Sequence, residues 1–433
     1  MITTKFRKGK WVAVFSAIVM FSCSKDEVDN VSVPIEATTL KTSISNSDAI
    51  PNQYIVMLRE DAELTDNEVK VRGKALGLLK NSGIDAEVRN VYSHVFPGFA
   101  MKLNKGQIKN LEENPSVLRI MPDVRVSLPP IFSNKKPDNP GGGNGGGGDG
   151  TAGQEVPWGI DRVGGIGSGV GKTAWVVDSG IDLDHPDLNG DATRSVSFVI
   201  GDNSPEDANG HGTHVAGTIA ALDNTEGVVG VAAGASVVSL RVLDSSGSGD
   251  FSWTIDALDH VVANAAAGDV VNMSLGPSSP YTDPAVIAAT QAVGNAGVKV
   301  AIAAGNSYDD AALYSPANAN GNNIYTISAL TEGDFFAYFS NYGSPVDYIA
   351  PGYQVKSTWL SGGYNTISGT SMASPHAAGV LLLGNPTSDG QASDAYWEVK
   401  GQSATGRYSG TNDYRRSVFR PDPDGTRESI IHQ

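Results

Sequence analysis

The hydrophobic pattern changes character along the chain. An apolar run from Trp11 to Phe21 follows a basic stretch with Lys5, Arg7, Lys8 and Lys10. It has the charged lead and short apolar middle of an export signal. Eleven residues are too few to span a bilayer as a helix. Residues 24–50 are polar with no helical period and read as a tether. Between 51 and 127 the apolar positions predict strand, helix, strand, strand, helix, strand. The strands are Tyr54–Leu58, two within Val88–Leu103 around Pro97-Gly98, and Val117–Val126. The first helix, over 66–80, is expected to be capped by Asp66 and to line Val69, Leu76 and Leu79 along one face. The second runs from Gly106 to Glu113 and stops at Asn114-Pro115. That order is a ferredoxin-like split unit. It holds no cluster of catalytic side chains.

Residues 128–153, rich in proline and then glycine, form a linker that cannot pack a core and is open to proteases. From 154 the runs become apolar throughout rather than alternating, as strands buried on both faces require. Strands are expected at Ala174–Val177, Ser236–Leu243, Asp269–Met273, Val298–Ala303, Ile324–Ala329 and Asp347–Ala350. Helices are expected at His211–Ala221, Ser252–Ala267, Asp283–Ala296 and Ser371–Leu383. The fold class is therefore α/β, a doubly wound and mostly parallel sheet flanked by helices, preceded by a small α+β unit. After Leu383 the pattern turns polar, and Pro421–Gly425 reads as turns without an assigned role.

Composition adds two facts. The 433 residues carry a formal charge of −16 and a single cysteine, Cys23. One cysteine excludes an intrachain disulfide and a cysteine-based zinc cluster. The acidity argues against a nucleic-acid partner. It is also uneven. Residues 1–153 hold 19 Lys+Arg against 17 Asp+Glu, and residues 154–433 hold 12 against 30. Most of the excess aspartate reads as solubilising surface.

Two motifs mislead. The glycine run Gly165–Gly171 before Lys172-Thr173 lacks the glycine that a phosphate loop needs at 166 and precedes its strand. His211 and His214 are three apart with no glutamate between them, unlike a zinc-protease pair.

Three segments place a reactive group at the end of an element. Asp178 ends a buried strand. His211 opens a helix between two glycines. Ser371 begins another, where Pro375 is expected to mark the opening turn. Serine is a weak nucleophile that needs a base, and the base needs an orienting carboxylate. The helix dipole and the Ser371 N–H favour a developing oxyanion, and Asn306, after Val300–Gly305, offers a second donor. Taken singly, Asp178 and Ser371 would be ordinary turn or cap residues.

The segments Val176–Asp182, Asn209–Gly217 and Gly369–His376 resemble the three signature blocks of the subtilisin-like serine proteases, in the family's Asp…His…Ser order. Tyr314–Ala317 and Phe339–Gly343 are most similar to the proteinase K branch. Residues 51–127 resemble that family's inhibitory propeptide. The resemblance implies that Asp178 orients, His211 is general base and then acid, and Ser371 attacks. Asn306 would bind the oxyanion. Ser274, Leu275 and Gly276 would line one side of the cleft, Gly247 the other rim, and Ala303 and Gly305 the pocket for the residue before the scissile bond. No acidic residue is evident in that pocket, so an apolar or aromatic preference is expected.

No cofactor is implied for the chemistry. A structural calcium is, at Asp347 with the carbonyls of Asn322 and Ile324. His94, His185, His214, His260 and His376 are read as structural or ordinary. Cys23, after Met20-Phe21-Ser22, resembles a lipobox cysteine, which implies an outer-membrane or cell-surface lipoprotein precursor. Removing the prodomain within 127–157 would then release the enzyme. The expected partners are polypeptide substrates and the chain's own prodomain, with membrane contact only through the lipid and a monomeric state. Two alternatives stay open: an inactive protease-like binding protein, and a surface protein whose prodomain is never removed.

Overall fold

The computed structural model describes residues 48–61, 63–129, 153–393 and 424–433. Cys23, nearly all of the tether and most of the Gly-rich linker lie outside them. Among the described residues no helix is long and apolar enough to cross a membrane.

The first unit has the predicted order. Strands Ala49–Leu58, Val88–Tyr92, Gly98–Lys102 and Val117–Ser127 pair antiparallel, with helices Glu68–Asn81 and Lys105–Glu112. The second helix opens on a capping box, in which Asn104 and Gln107 satisfy each other's backbone N–H.

The first helix corrects two expectations. Its N-cap is Asn67, whose side chain accepts the Lys70 N–H, while Asp66 sits at φ +55° outside the helix. Its buried face is Val71, Ala75, Leu78 and Leu79, with Val69 83% and Leu76 52% exposed. The i, i+4, i+7, i+8 spacing of the buried set forms one stripe. Val69 and Leu76 fall outside it and face solvent.

The larger unit is a 10-stranded sheet. Its centre runs in the order Val346–Pro351, Ile324–Leu330, Lys299–Ala303, Val270–Met273, Thr173–Asp178, Ser236–Arg241, all parallel. Helices His211–Ala220, Phe251–Asn264, Pro284–Asn295 and Thr370–Leu383 cover it. Every residue of Thr173–Asp178 is buried, as a strand covered on both faces must be.

The chain's last residues have a role that the sequence reading left unassigned. Ser429–His432 joins the sheet beside Val346–Pro351, and Thr387–Gln391 pairs antiparallel with it. Ile430 and Ile431 are buried there.

The two units share backbone pairing. Ser248–Asp250 of the larger unit adds a fifth strand to the smaller sheet, beside Val117–Ser127. One apolar cluster includes Ile55, Tyr92, Phe96 and Val124 from the smaller unit with Phe251, Ile255 and Leu258 from the larger.

Candidate active site

Asp178 is the last residue of its strand, at the carboxyl edge of the sheet. His211 is the first residue of its helix, after Gly210 at φ +106°. A side-chain carbon on Gly212 would come within 2.0 Å of the Gly180 carbonyl, so glycine is what lets this helix settle against the Asp178 strand. The result is short. His211 Nδ1 lies 2.8 and 3.0 Å from the two Asp178 carboxylate oxygens, with both side chains buried. The Ser179 N–H also donates to Asp178 Oδ1 at 2.7 Å. His211 Nε2 is buried and has no partner among the described residues.

Ser371 stands second in the helix Thr370–Leu383, which packs against the His211 helix. Pro375 is not at the opening turn, a further correction. It lies four residues beyond Ser371, inside the helix, and cannot donate to the Ser371 carbonyl. Ser274 makes good that loss: its Oγ donates to the Ser371 C=O at 3.0 Å. Asn272 Nδ2 donates to Ser274 Oγ at 2.9 Å, and Ser374 Oγ donates to Asn272 Oδ1 at 2.7 Å. The Ser371 hydroxyl itself donates to the Ser274 C=O at 3.2 Å.

Asn306 is oriented by Thr370. Its Oδ1 accepts the Thr370 N–H at 2.9 Å and the Thr370 hydroxyl at 2.8 Å, which turns the donor end of the amide the other way. The same hydroxyl accepts the Gly305 N–H at 3.1 Å. Asn341 braces the loop, accepting from Ser307 and Asp309 and donating to the Ala304 carbonyl. Gly305, at φ +106°, lies directly against it. Thr370, Asn272, Ser374 and Asn341 were not singled out from sequence. Thr370, Ser374 and Asn341 are small polar residues within quoted blocks, and Asn272 lies two residues before Ser274, but no geometry was at hand to use them.

A cavity of about 210 Å3 lies beside this loop. Leu275, Gly276, Ala303, Gly305, Tyr314 and Pro316 line it, and no lining residue is charged. Ala303 and Gly305, named from sequence for a side-chain pocket, both face this cavity. Ser127, Leu128 and Pro129 of the smaller unit line it too. They run between Gly276, which exchanges both backbone hydrogen bonds with Ser127, and Gly247, whose carbonyl accepts the Leu128 N–H at 2.9 Å.

Other histidines are structural. His214 Nε2 lies 3.0 Å from the Val355 carbonyl, and burial pulls its pKa down to about 3. His376 Nδ1 lies 2.8 Å from the Met372 carbonyl, and burial pulls its pKa to about 4. Neither is positioned as a ligand. Among the described residues no group of three or more His, Cys, Asp and Glu could hold a metal ion. Asp347 is exposed, and its Oδ2 accepts the Thr326 N–H at 2.9 Å.

The aspartates of helix Phe251–Asn264 correct the reading of acidity as surface. Asp259 accepts the N–H groups of Ser93, His94 and Val95, and Asp256 accepts from Asn90. Both face the smaller unit.

Comparison with known proteins agrees with this geometry. The Subtilase family profile matches residues 171–391, and the Peptidase inhibitor I9 profile matches residues 53–129. Alkaline serine exoprotease A of Vibrio alginolyticus is 36% identical over 85% of this chain and 67% of its own length. The Extracellular serine proteinase of Thermus sp. (strain Rt41A) is 34% identical over 87% of this chain and 89% of its own. The Cuticle-degrading protease of Metarhizium anisopliae is 34% identical over 76% and 79%. The chain belongs to the subtilase family of serine proteases and carries an I9-type inhibitor domain ahead of its catalytic domain.

Proposed function

We propose that the chain is the zymogen of an exported endopeptidase that cleaves peptide bonds through an acyl-enzyme on Ser371. The observation that carries this reading is the pairing of His211 with Asp178 beside a cleft already holding an extended segment of the prodomain. Ser371 Oγ attacks the carbonyl carbon and gives its proton to His211 Nε2. Asp178 holds the Nδ1–H and stabilises the imidazolium. The Ser371 N–H and Asn306 Nδ2 take the negative oxygen. His211 then protonates the leaving amine, and water attacks the ester by the same route in reverse. Ser274, Leu275, Gly276 and Gly247 hold the substrate as an added strand, as Gly276 holds Ser127 and Gly247 holds Leu128. The uncharged cavity supports an apolar or aromatic preference at the residue before the cut.

Maturation removes the prodomain within 127–157. A lipid on Cys23 would then anchor only the precursor. The catalytic domain acts outside the cell, as the name of the Thermus relative states for that protein. The enzyme works as a monomer.

Asp347, with the Asn322 and Ile324 carbonyls, would hold a calcium ion with one charge and neutral oxygens, water completing the shell. Its role there would be to brace the loop ahead of Ile324. Chelation should lower the melting temperature, and Asp347→Ala should abolish that sensitivity while leaving kcat unchanged.

The central test is fluorophosphonate labelling beside a peptide digest. Wild type should label at Ser371 and cleave; Ser371→Ala should do neither, with turnover down by about 10⁴-fold or more, a size already known for such triads. An unlabelled wild type would favour a protease-like binding protein instead.

A further inference from the structure

The prodomain's last described residues cross the cleft in a fixed register. Ser127 exchanges both backbone bonds with Gly276, at 3.0 and 3.5 Å. Antiparallel pairing then sets Pro129 opposite Ser274, two residues along each strand. An ordinary residue there would give its N–H to the Ser274 carbonyl. Proline has no N–H to give. That carbonyl accepts the Ser371 hydroxyl instead, at 3.2 Å. A hydroxyl has one proton. While it is spent on Ser274, His211 Nε2 is left buried without a partner among the described residues. The cavity of about 210 Å3 also persists with Pro129 on its wall, so the prodomain does not fill the side-chain pocket.

We propose that Pro129 parks the nucleophile, and that the N–H of the residue before the scissile bond is what releases it. A substrate N–H takes the Ser274 carbonyl, and the Ser371 hydroxyl turns to His211. Pro129 cannot do this, so the end of the prodomain is a plug and not the maturation site. In the sequence Pro130 follows, so the next amide nitrogen carries no hydrogen either. The freeing cut falls beyond Pro130, within 131–157, after a residue that has an N–H. This rests on the protease reading above.

Two measurements test it. The first is mass spectrometry of the mature N-terminus, with fluorophosphonate labelling, for the full chain as wild type, Ser371→Ala and the double variant Pro129→Phe/Pro130→Ala. Wild type should label and begin beyond residue 130, and the double variant should gain a species beginning at residue 130. A labelled wild type beginning at Pro130, or a double variant cut only where wild type is, overturns the proposal and leaves the protease reading intact. An unlabelled, uncut wild type overturns both.

The second measurement needs no variant. Matched peptides, with and without an N-methyl on the residue before the scissile bond, are given to the mature enzyme. Methylation should lower kcat by about tenfold or more, the worth of one hydrogen bond in the transition state. A change confined to KM would overturn the parked-nucleophile account.

Discussion

Thr370 does three things with one short side chain and its own backbone. Its N–H and hydroxyl both hold Asn306 Oδ1, and the hydroxyl also takes the Gly305 N–H. Thr370→Val keeps the shape and removes the hydroxyl. With Gly305 unpaired and Asn306 held by one bond, kcat should fall about tenfold, with KM little changed. Asn306→Ala should cost more, about 10²–10³-fold, a size already established in this family. Steady-state kinetics on one peptide distinguishes them.

The proposed triad was legible because each member lies in a contiguous block at the end of an element: Asp178 after apolar residues, His211 among glycines, Ser371 at the start of a helix. Their supports were not. Ser274 bonds the Ser371 carbonyl because Pro375, four residues on, leaves it unpaired. Nothing local to Ser274 announces that. The Asn67 cap was missed by one residue, because Asp66 and Asn67 are both good caps and only the backbone decides between them.

At the scale of elements, helix Phe251–Asn264 meets the prodomain with carboxylates. Asp256 accepts from Asn90, with Asp259, Asp123 and Glu68 close by. Burial raises its pKa to about 8, with the neighbouring acids adding to the rise. Asp123, buried on the prodomain side, is pushed up to about 6, also chiefly by burial. Arg89 and Arg125 supply positive charge near Asp250 at the same interface. A carboxyl whose pKa is higher docked than free favours docking while protonated. That favour is complete below about 4 and is lost as pH rises toward 8. Prodomain affinity should therefore fall with rising pH, by up to about tenfold per unit while one carboxyl titrates. Asp256→Asn should flatten the fall between pH 6 and 8. Size-exclusion of the cleaved but associated complex across that range measures it. The sequence reading placed these aspartates on the surface, since a helix facing another unit looks the same in sequence as one facing water.

For the whole molecule, closure of the sheet depends on residues far apart in sequence. Ser429–His432 pairs with Val346–Pro351 and with Thr387–Gln391, and Ile431 packs with Val380 and Ala377 of the Ser371 helix. Ile431→Ala in an Ser371→Ala background, where self-digestion is absent, should cost about 2–4 kcal/mol and lower the melting temperature in a thermal scan. The central parallel strands were legible from their unbroken apolar runs. The strand Ser429–His432 was not, because four residues after a long polar stretch carry too little pattern.

The cleft bonds Ser127 and Leu128 through main-chain hydrogen bonds. Main-chain atoms are common to all residues, so such a grip reads shape and not spelling. It requires a stretch of chain to lie fully extended, with its amides unclaimed by any helix or sheet of its own. A folded protein offers few such stretches, and a fraying or denatured one offers many. The rate at which this enzyme consumes a protein should therefore follow how often that protein locally opens, more than which sequence it carries.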